Sequence, residues 1–365
     1  MRLRAFRLAG YAGLSACLIS AWASFPALAA GGDQQWAELG SCPLESGKAI
    51  EHCRIGYRTF GKLNAQRDNA VLMPTWLYGR SSDLVSLFGD GAPAQHLVDT
   101  TRFFGIAIDS LGNGISSSPS NSPTQHGTQF PAFTLRDMVE AEYRVVTEVL
   151  NLNHLHAVVG LSMGGEQTFV WAVTHTDFFD LAVPILGTPR LTSYDLEVKR
   201  IMVGTILADP EYHHGDYTSQ PPLKLANLFG SLVVTTPELR NQETPRAKLD
   251  EFFTQAEAPQ PIDANDRLWQ LKAVMTQDVI GARSLAEAAR AVKHLADVGL
   301  PTRIGDIPGP RPSLDQLMGL IAQDKKVKHG VLTLILVRGI GAAFVEAGVD
   351  QSEVRAFLSE KLAER

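Results

Sequence analysis

The stretch LHAVVGLSMGGEQTFVWAVTH, residues 155–175, constrains this chain more than any other. A short apolar run typical of a buried strand ends at Gly160-Leu161-Ser162-Met163-Gly164, and a helical pattern follows at once. A strand turns directly into a helix only where the flanking residues are small, and Gly160 and Gly164 meet that need. Such a turn lifts the Ser162 hydroxyl to the top of a sheet. It also places the Met163 N–H at a helix N-terminus, aimed at an oxygen that gains negative charge during acyl transfer. Short glycine turns also arise by chance, but the strand before and the helix after favour Ser162 as a nucleophile.

The surrounding pattern fits a layered fold. Residues 54–60 and 70–75 read as strands, the second running into the loop TWLYGRSSD, and FFGIAID at 103–109 is another. It breaks into SLGNGISSSPSNSP, a cluster that can only be a loop. Residues 135–150 carry apolar side chains at helical spacing behind Thr134 and Asp137, a capping-box start. Residues 180–186 give a further strand. Strands alternating with helices predict a parallel sheet with helices on both faces. From Tyr194 to about residue 281 the pattern is helical, interrupted by DPEYHHGDYTSQPP, and reads as a lid over the site. A boundary near Arg283 opens a segment with two amphipathic helices and the strand-like GVLTLILVRG.

The first thirty residues are of another kind. Arg2, Arg4 and Arg7 precede an apolar run from Leu8 to Trp22, then Pro26 and the small-residue site Ala27-Leu28-Ala29. This is the pattern of a secretory signal peptide, residues 1–29, and the run is too short for a membrane anchor. A periplasmic or secreted location follows as the expectation, with no membrane association after its removal. Loss of three arginines and no acid makes the formal net charge of −6 more negative, which argues against nucleic acid as a partner. Cys42 and Cys53 remain as a pair, and an oxidising compartment favours a disulfide between them over free thiols or a zinc site.

Four stretches carry a resemblance: YRTFGKLNAQRDNAVLMPTWLYG, DSLGNGISSSPSNSP, FPAFTLRDMVEAE and VVGLSMGGEQTFVWA. In this order they resemble the homoserine O-acetyltransferase family of the α/β-hydrolase superfamily, from about residue 56 to 278. The resemblance implies an α/β-hydrolase-like parallel sheet with a helical lid. It implies Ser162 as the nucleophile, with backbone N–H groups of Leu77 and Met163 as the oxyanion hole. That family moves an acyl group from acetyl-CoA to a small amino acid hydroxyl. Export away from acetyl-CoA points instead to some other small-molecule ester or acyl substrate, with no bound cofactor and no metal.

The base that should serve Ser162 is missing from the pattern. In this superfamily an acid and then a histidine follow the serine along the chain, and neither family motif is present. His175 lies at the far end of the serine's own helix, His213 and His214 in the lid loop, His294 on an amphipathic helix and His329 in a charged turn. What stands in place of the missing section, about residues 289–365, is similar to the C-terminal end of 3-dehydroquinate synthase. In that enzyme Asp324-Lys325-Lys326 would match a phosphate-contacting region, although a lysine run is by default a solvated one. The synthase's NAD-binding half and metal ligands have no counterpart here. The sequence therefore predicts an incomplete hydrolase sheet over residues 30–282, a mostly helical appended segment over 283–365, and an impaired serine acyltransferase or esterase. A synthase-like lyase and a non-catalytic binding protein are the competing expectations.

Overall fold

The strand that opens the sheet has almost no signature in the sequence. β1 (Gln35–Pro43) pairs antiparallel with β2 (Ala49–Phe60), and a register shift around Gly40, at φ 71°, bends the first strand. Both strands alternate buried and exposed positions along their outer parts, so polar residues such as Glu38, Glu51 and His52 face water. That polarity leaves residues 35–43 without the apolar continuity of a buried strand, and β2 begins five residues before the predicted 54. Cys42 and Cys53 form a disulfide across this hairpin, both side chains buried. The computed structural model describes residues 32–90, 96–279, 293, 313–322, 333–337, 343–347 and 350–363. The segment read as a signal peptide at 1–29, the expected boundary near Arg283, His294, His329 and Asp324-Lys325-Lys326 lie outside the described residues.

β3 (Ala70–Pro74), β4 (Phe104–Ile108), β5 (Leu155–Leu161) and β6 (Phe179–Ile185) complete an open sheet in the order β1-β2-β4-β3-β5-β6. The pairings from β4 through β6 are parallel, as the near-continuous apolar strands predict. One face packs the larger core, in which Ile55, Leu72, Ile106 and Val158 meet α1 (Leu135–Arg144) and α2 (Met163–Thr174). The other face packs a smaller cluster of Val71, Met73, Ala107 and Val159 against Leu84 and Phe88.

Helix α1 starts where its cap predicts. The Thr134 hydroxyl accepts from the Asp137 N–H at 3.2 Å, and the Asp137 carboxylate accepts from the Thr134 N–H at 2.8 Å. The predicted helix to residue 150 instead gives way to a π-helical turn at Val145–Val149. The stretch from Tyr194 onward is helical as expected, with α3 (Ser193–Leu207), α4 (Lys224–Val233), α5 (Pro237–Glu243), α6 (Leu249–Ala256) and α7 (Ala264–Val274).

Among the described residues the main sheet ends at β6. Leu181 and Val183 on this edge strand are each 39% exposed, where a neighbouring strand or helix would bury them. β7 (Thr333–Val337), the described part of GVLTLILVRG, pairs antiparallel with β8 (Ala343–Ala347) as a separate two-stranded unit rather than extending the main sheet. α8 (Leu314–Ala322) and α9 (Gln351–Ala363) complete the described C-terminal elements, joined by an exposed Arg355–Asp315 ion pair at 2.7 Å.

Helices α1 and α2 are pinned by a buried acid. Glu142 accepts from Trp171 Nε1 at 2.8 Å through Oε2, while Oε1 is buried without a partner. Burial pushes this carboxyl up to about 8 from its ordinary 4.5. The folded state therefore holds the proton more tightly than the unfolded chain. The resulting stability is complete below about pH 4.5 and is lost as pH rises through about 8. Glu142→Gln, which keeps the shape of the protonated acid, should melt with wild type at pH 5 and above it at pH 8.5. Parallel thermal melts at the two pH values check this.

Candidate functional site

The turn after β5 is built on close approach. A Cβ on Gly160 would fall 1.9 Å from the Gly164 carbonyl oxygen, and one on Gly164 would fall 2.5 Å from the Pro74 carbonyl oxygen. Glycine at both positions lets α2 start directly against the ends of β5 and β3. Ser162 sits at the apex with φ 54° and ψ −120°, a conformation that costs on the order of 1–3 kcal/mol for a residue with a side chain. Its N–H donates to Ile185 O at 2.8 Å, so the end of β6 braces the turn, and its side chain is exposed to solvent. Met163 follows as the first residue of α2, where helix geometry leaves its N–H without an intrahelical acceptor.

Leu77 is delivered to the same end of the sheet by the segment leaving β3. Gly79 N–H donates to Trp76 O at 2.8 Å, closing a tight turn over Trp76-Leu77-Tyr78-Gly79, with Tyr78 at φ 67°. A bulky residue at positive φ must be held there. Gln270 of α7 does so by accepting the Tyr78 N–H at 2.8 Å while its own amide donates to Leu111 O at 2.9 Å. Asn113 Nδ2 donates to Gly79 O at 3.0 Å, and the Asp109 carboxylate accepts from Ser81 N–H at 2.7 Å just beyond.

A second network ties the two turns together. Gln167 of α2 is fully buried; its amide donates to Thr75 O at 3.2 Å and Met163 O at 3.3 Å, and its carbonyl accepts from Ser110 Oγ at 3.2 Å. Thr75 Oγ1 donates in turn to Ser110 Oγ at 3.0 Å. The ends of β3 and β4 and the first turn of α2 are thereby joined. Sequence reasoning singled out none of Thr75, Ser110, Gln167 or Gln270; a glutamine amid the apolar residues of α2 was the available signal.

Glu166, one turn beyond Ser162, is buried with Oε2 unpartnered. Burial raises its carboxyl to about 8, opposed by the nearby Lys199 and reinforced by Asp195. Gln277 holds the backbone here, donating to Glu166 O at 3.2 Å and Thr188 O at 2.9 Å.

Among the described residues no histidine is hydrogen-bonded to Ser162. His175 is hydrogen-bonded to Glu140 at 3.1 Å and stacked on Tyr143 at the far end of α2, which a helix of twelve residues places roughly 18 Å from Ser162. His154 and His156 face Asp180 at 3.1 and 3.6 Å, at the opposite end of β5. His213 and His214 sit at positive φ between α3 and α4. His126 lines a polar cavity of about 540 Å³ together with Ser120, Tyr217 and Asp263. Among the described residues no group of three or more metal-ligating side chains comes together, and no helix is long and apolar enough to cross a membrane.

Residues 91–270 match the family model of the alpha/beta hydrolase fold. A solved acetylester hydrolase from Corynebacterium glutamicum superimposes with a TM-score of 0.64 and 27% identity, over 73% of this chain and 78% of that one. The fold is that of an α/β hydrolase. Within it, a probable esterase of Corynebacterium glutamicum is 35% identical over 190 residues, 52% of this chain and 54% of the relative. A homoserine O-acetyltransferase of Nautilia profundicola is 32% identical over 188 residues, 48% and 51% respectively. The chain spans about half the length of the curated relatives it matches. This α/β-hydrolase domain is thus related to both esterases and homoserine O-acetyltransferases.

If the Gln167 network fixes the spacing of the two turns, Gln167→Leu should remove three hydrogen bonds and leave Thr75 O and Ser110 Oγ short of partners. The expected cost is about 2 kcal/mol, read as a lower urea midpoint at unchanged m.

Proposed function

We propose that this chain is an exported α/β-hydrolase-fold protein that takes acyl groups from small esters onto Ser162, and that does so slowly. The observation that carries the reading is the exposed Ser162 at φ 54°, set on a glycine-built turn. The esterase and acyltransferase relatives support small-molecule ester or acyl substrates.

In the proposed reaction, Ser162 Oγ attacks the ester carbonyl carbon and the carbonyl oxygen becomes an oxyanion. The backbone N–H groups of Met163 and Leu77 receive that charge. The C–O bond to the alcohol then breaks, leaving an acyl-serine and an alkoxide that takes a proton from solvent. Water or a second alcohol attacks the acyl-serine and releases the acid or a new ester. With no described imidazole at Ser162, its proton passes to solvent, and only the oxyanion contacts and substrate binding accelerate the step. Such remnants retain about 10³-fold or more over water in other serine enzymes.

The first 29 residues act as the export signal in this reading and give a periplasmic or secreted location. The segment after about residue 283, similar to the end of 3-dehydroquinate synthase, is a chemically inert appendage.

Intact-mass spectrometry after incubation with p-nitrophenyl acetate tests the serine directly. One acetyl group should accumulate over hours on Ser162 and be absent from Ser162→Ala. Unmodified wild-type protein, with rapid labelling of a control esterase, would support a non-catalytic binding protein instead.

A further inference from the structure

A guanidinium taken out of water is costly unless an anion or a full set of acceptors meets it. Arg267 of α7 is 5% exposed and, among the described residues, meets neither. Its Nη1 donates to Asn227 Oδ1 at 2.6 Å, its guanidinium carbon lies 5.3 Å from the centroid of the Tyr78 ring, and its Nε is buried without a partner. Among the described residues both partners are neutral.

The acids on the same helix are turned to other tasks. Asp263 caps α7 through the N–H groups of Asn265 and Asp266 and accepts the Tyr217 hydroxyl at 2.7 Å. Asp266 accepts from the N–H and hydroxyl of Ser120 at 2.9 and 2.6 Å. Asn227 is itself fixed, its amide donating to Pro222 O and Ala258 O at 3.1 and 2.9 Å, so its carbonyl oxygen stays on Arg267. The cation is therefore rigidly held, and part of its donor fork is unused.

Its place gives that cation a use. Three residues along a helix is one face, and Gln270, three residues beyond Arg267, grips the Tyr78 N–H. Arg267 thus stands beside Gln270 over the turn that carries Leu77, with its charge on the Tyr78 ring. Burial pushes the Tyr78 phenol up to about 12 against the lowering pull of Arg267, so it stays neutral and supplies no counter-charge.

We propose that Arg267 is an anion-recognition residue of the Ser162 site, and that the esters this site prefers carry a carboxylate, which supplies the missing counter-charge. A carboxylate offers two oxygens to a guanidinium fork, a pairing that a neutral ester of the same shape cannot make. The assignment rests on the reading of Ser162 as the acyl acceptor, since that places the substrate beside Leu77.

Calorimetric titration of the Ser162→Ala protein with monomethyl succinate and with methyl butyrate, a neutral ester of equal length, separates the two ideas. The half-ester should bind at least tenfold more tightly than methyl butyrate. Adding Arg267→Met should abolish that preference, and Arg267→Lys should restore part of it. Equal affinity for the two esters, or a preference that survives Arg267→Met, overturns the proposal. Should Arg267→Met fail to fold, Arg267→Lys still decides it: a preference unchanged by loss of the planar fork counts against guanidinium recognition, and a reduced one supports it. An Arg267-dependent preference in a protein whose wild-type Ser162 never becomes acetylated would sink the serine reading and leave the anion site standing.

Discussion

Steric exclusion at one turn organises the molecule. Because Gly160 and Gly164 have no side chains, the first turn of α2 can lie against the ends of β5 and β3 at distances that no Cβ would tolerate. That contact sets Ser162 at its apex with a positive φ, brings Met163 to the end of the sheet and puts Gln167 within reach of Thr75 and Ser110. The neighbouring Leu77 turn is located from the same point, since it continues the strand whose last carbonyl α2 abuts.

Local features were legible in the sequence because their causes are local. The serine turn is announced by its own glycines and the helix behind Thr134 by its cap, and both stand where they were expected. The sheet core was legible for the same reason: its central strands are short, apolar and bounded by breakers. β1 was not, because a strand with a water-facing side alternates polar residues and lacks that apolar continuity. The supports of the site were also hidden. Tyr78 and Gln270 are 192 positions apart, and Asp266 meets Ser120 across 146, so only the folded chain pairs them. The same holds for the sheet edge: GVLTLILVRG has strand character, but character does not name a partner, and β7 chose β8.

Buried ionisable groups around the site fall into two kinds with opposite consequences. Glu142 and Glu166 answer burial by holding a proton, which removes the charge and its desolvation cost. Arginine has no such escape, because its guanidinium does not give up a proton in the accessible range. Arg267, with no acid against it among the described residues, therefore keeps its charge inside the fold. It sits in a hydrolase fold whose last described main-sheet strand leaves Leu181 and Val183 each 39% exposed.

The account turns on whether a proton acceptor serves Ser162. The rate of its acetylation by p-nitrophenyl acetate between about pH 6 and 10 reads this out, because an imidazole base titrates near pH 6.5 and hydroxide does not. A serine served only by solvent gives a logarithmic rate that climbs steadily with pH across the range. A rate that levels off above about pH 7 would reveal a histidine at the serine and contradict the account.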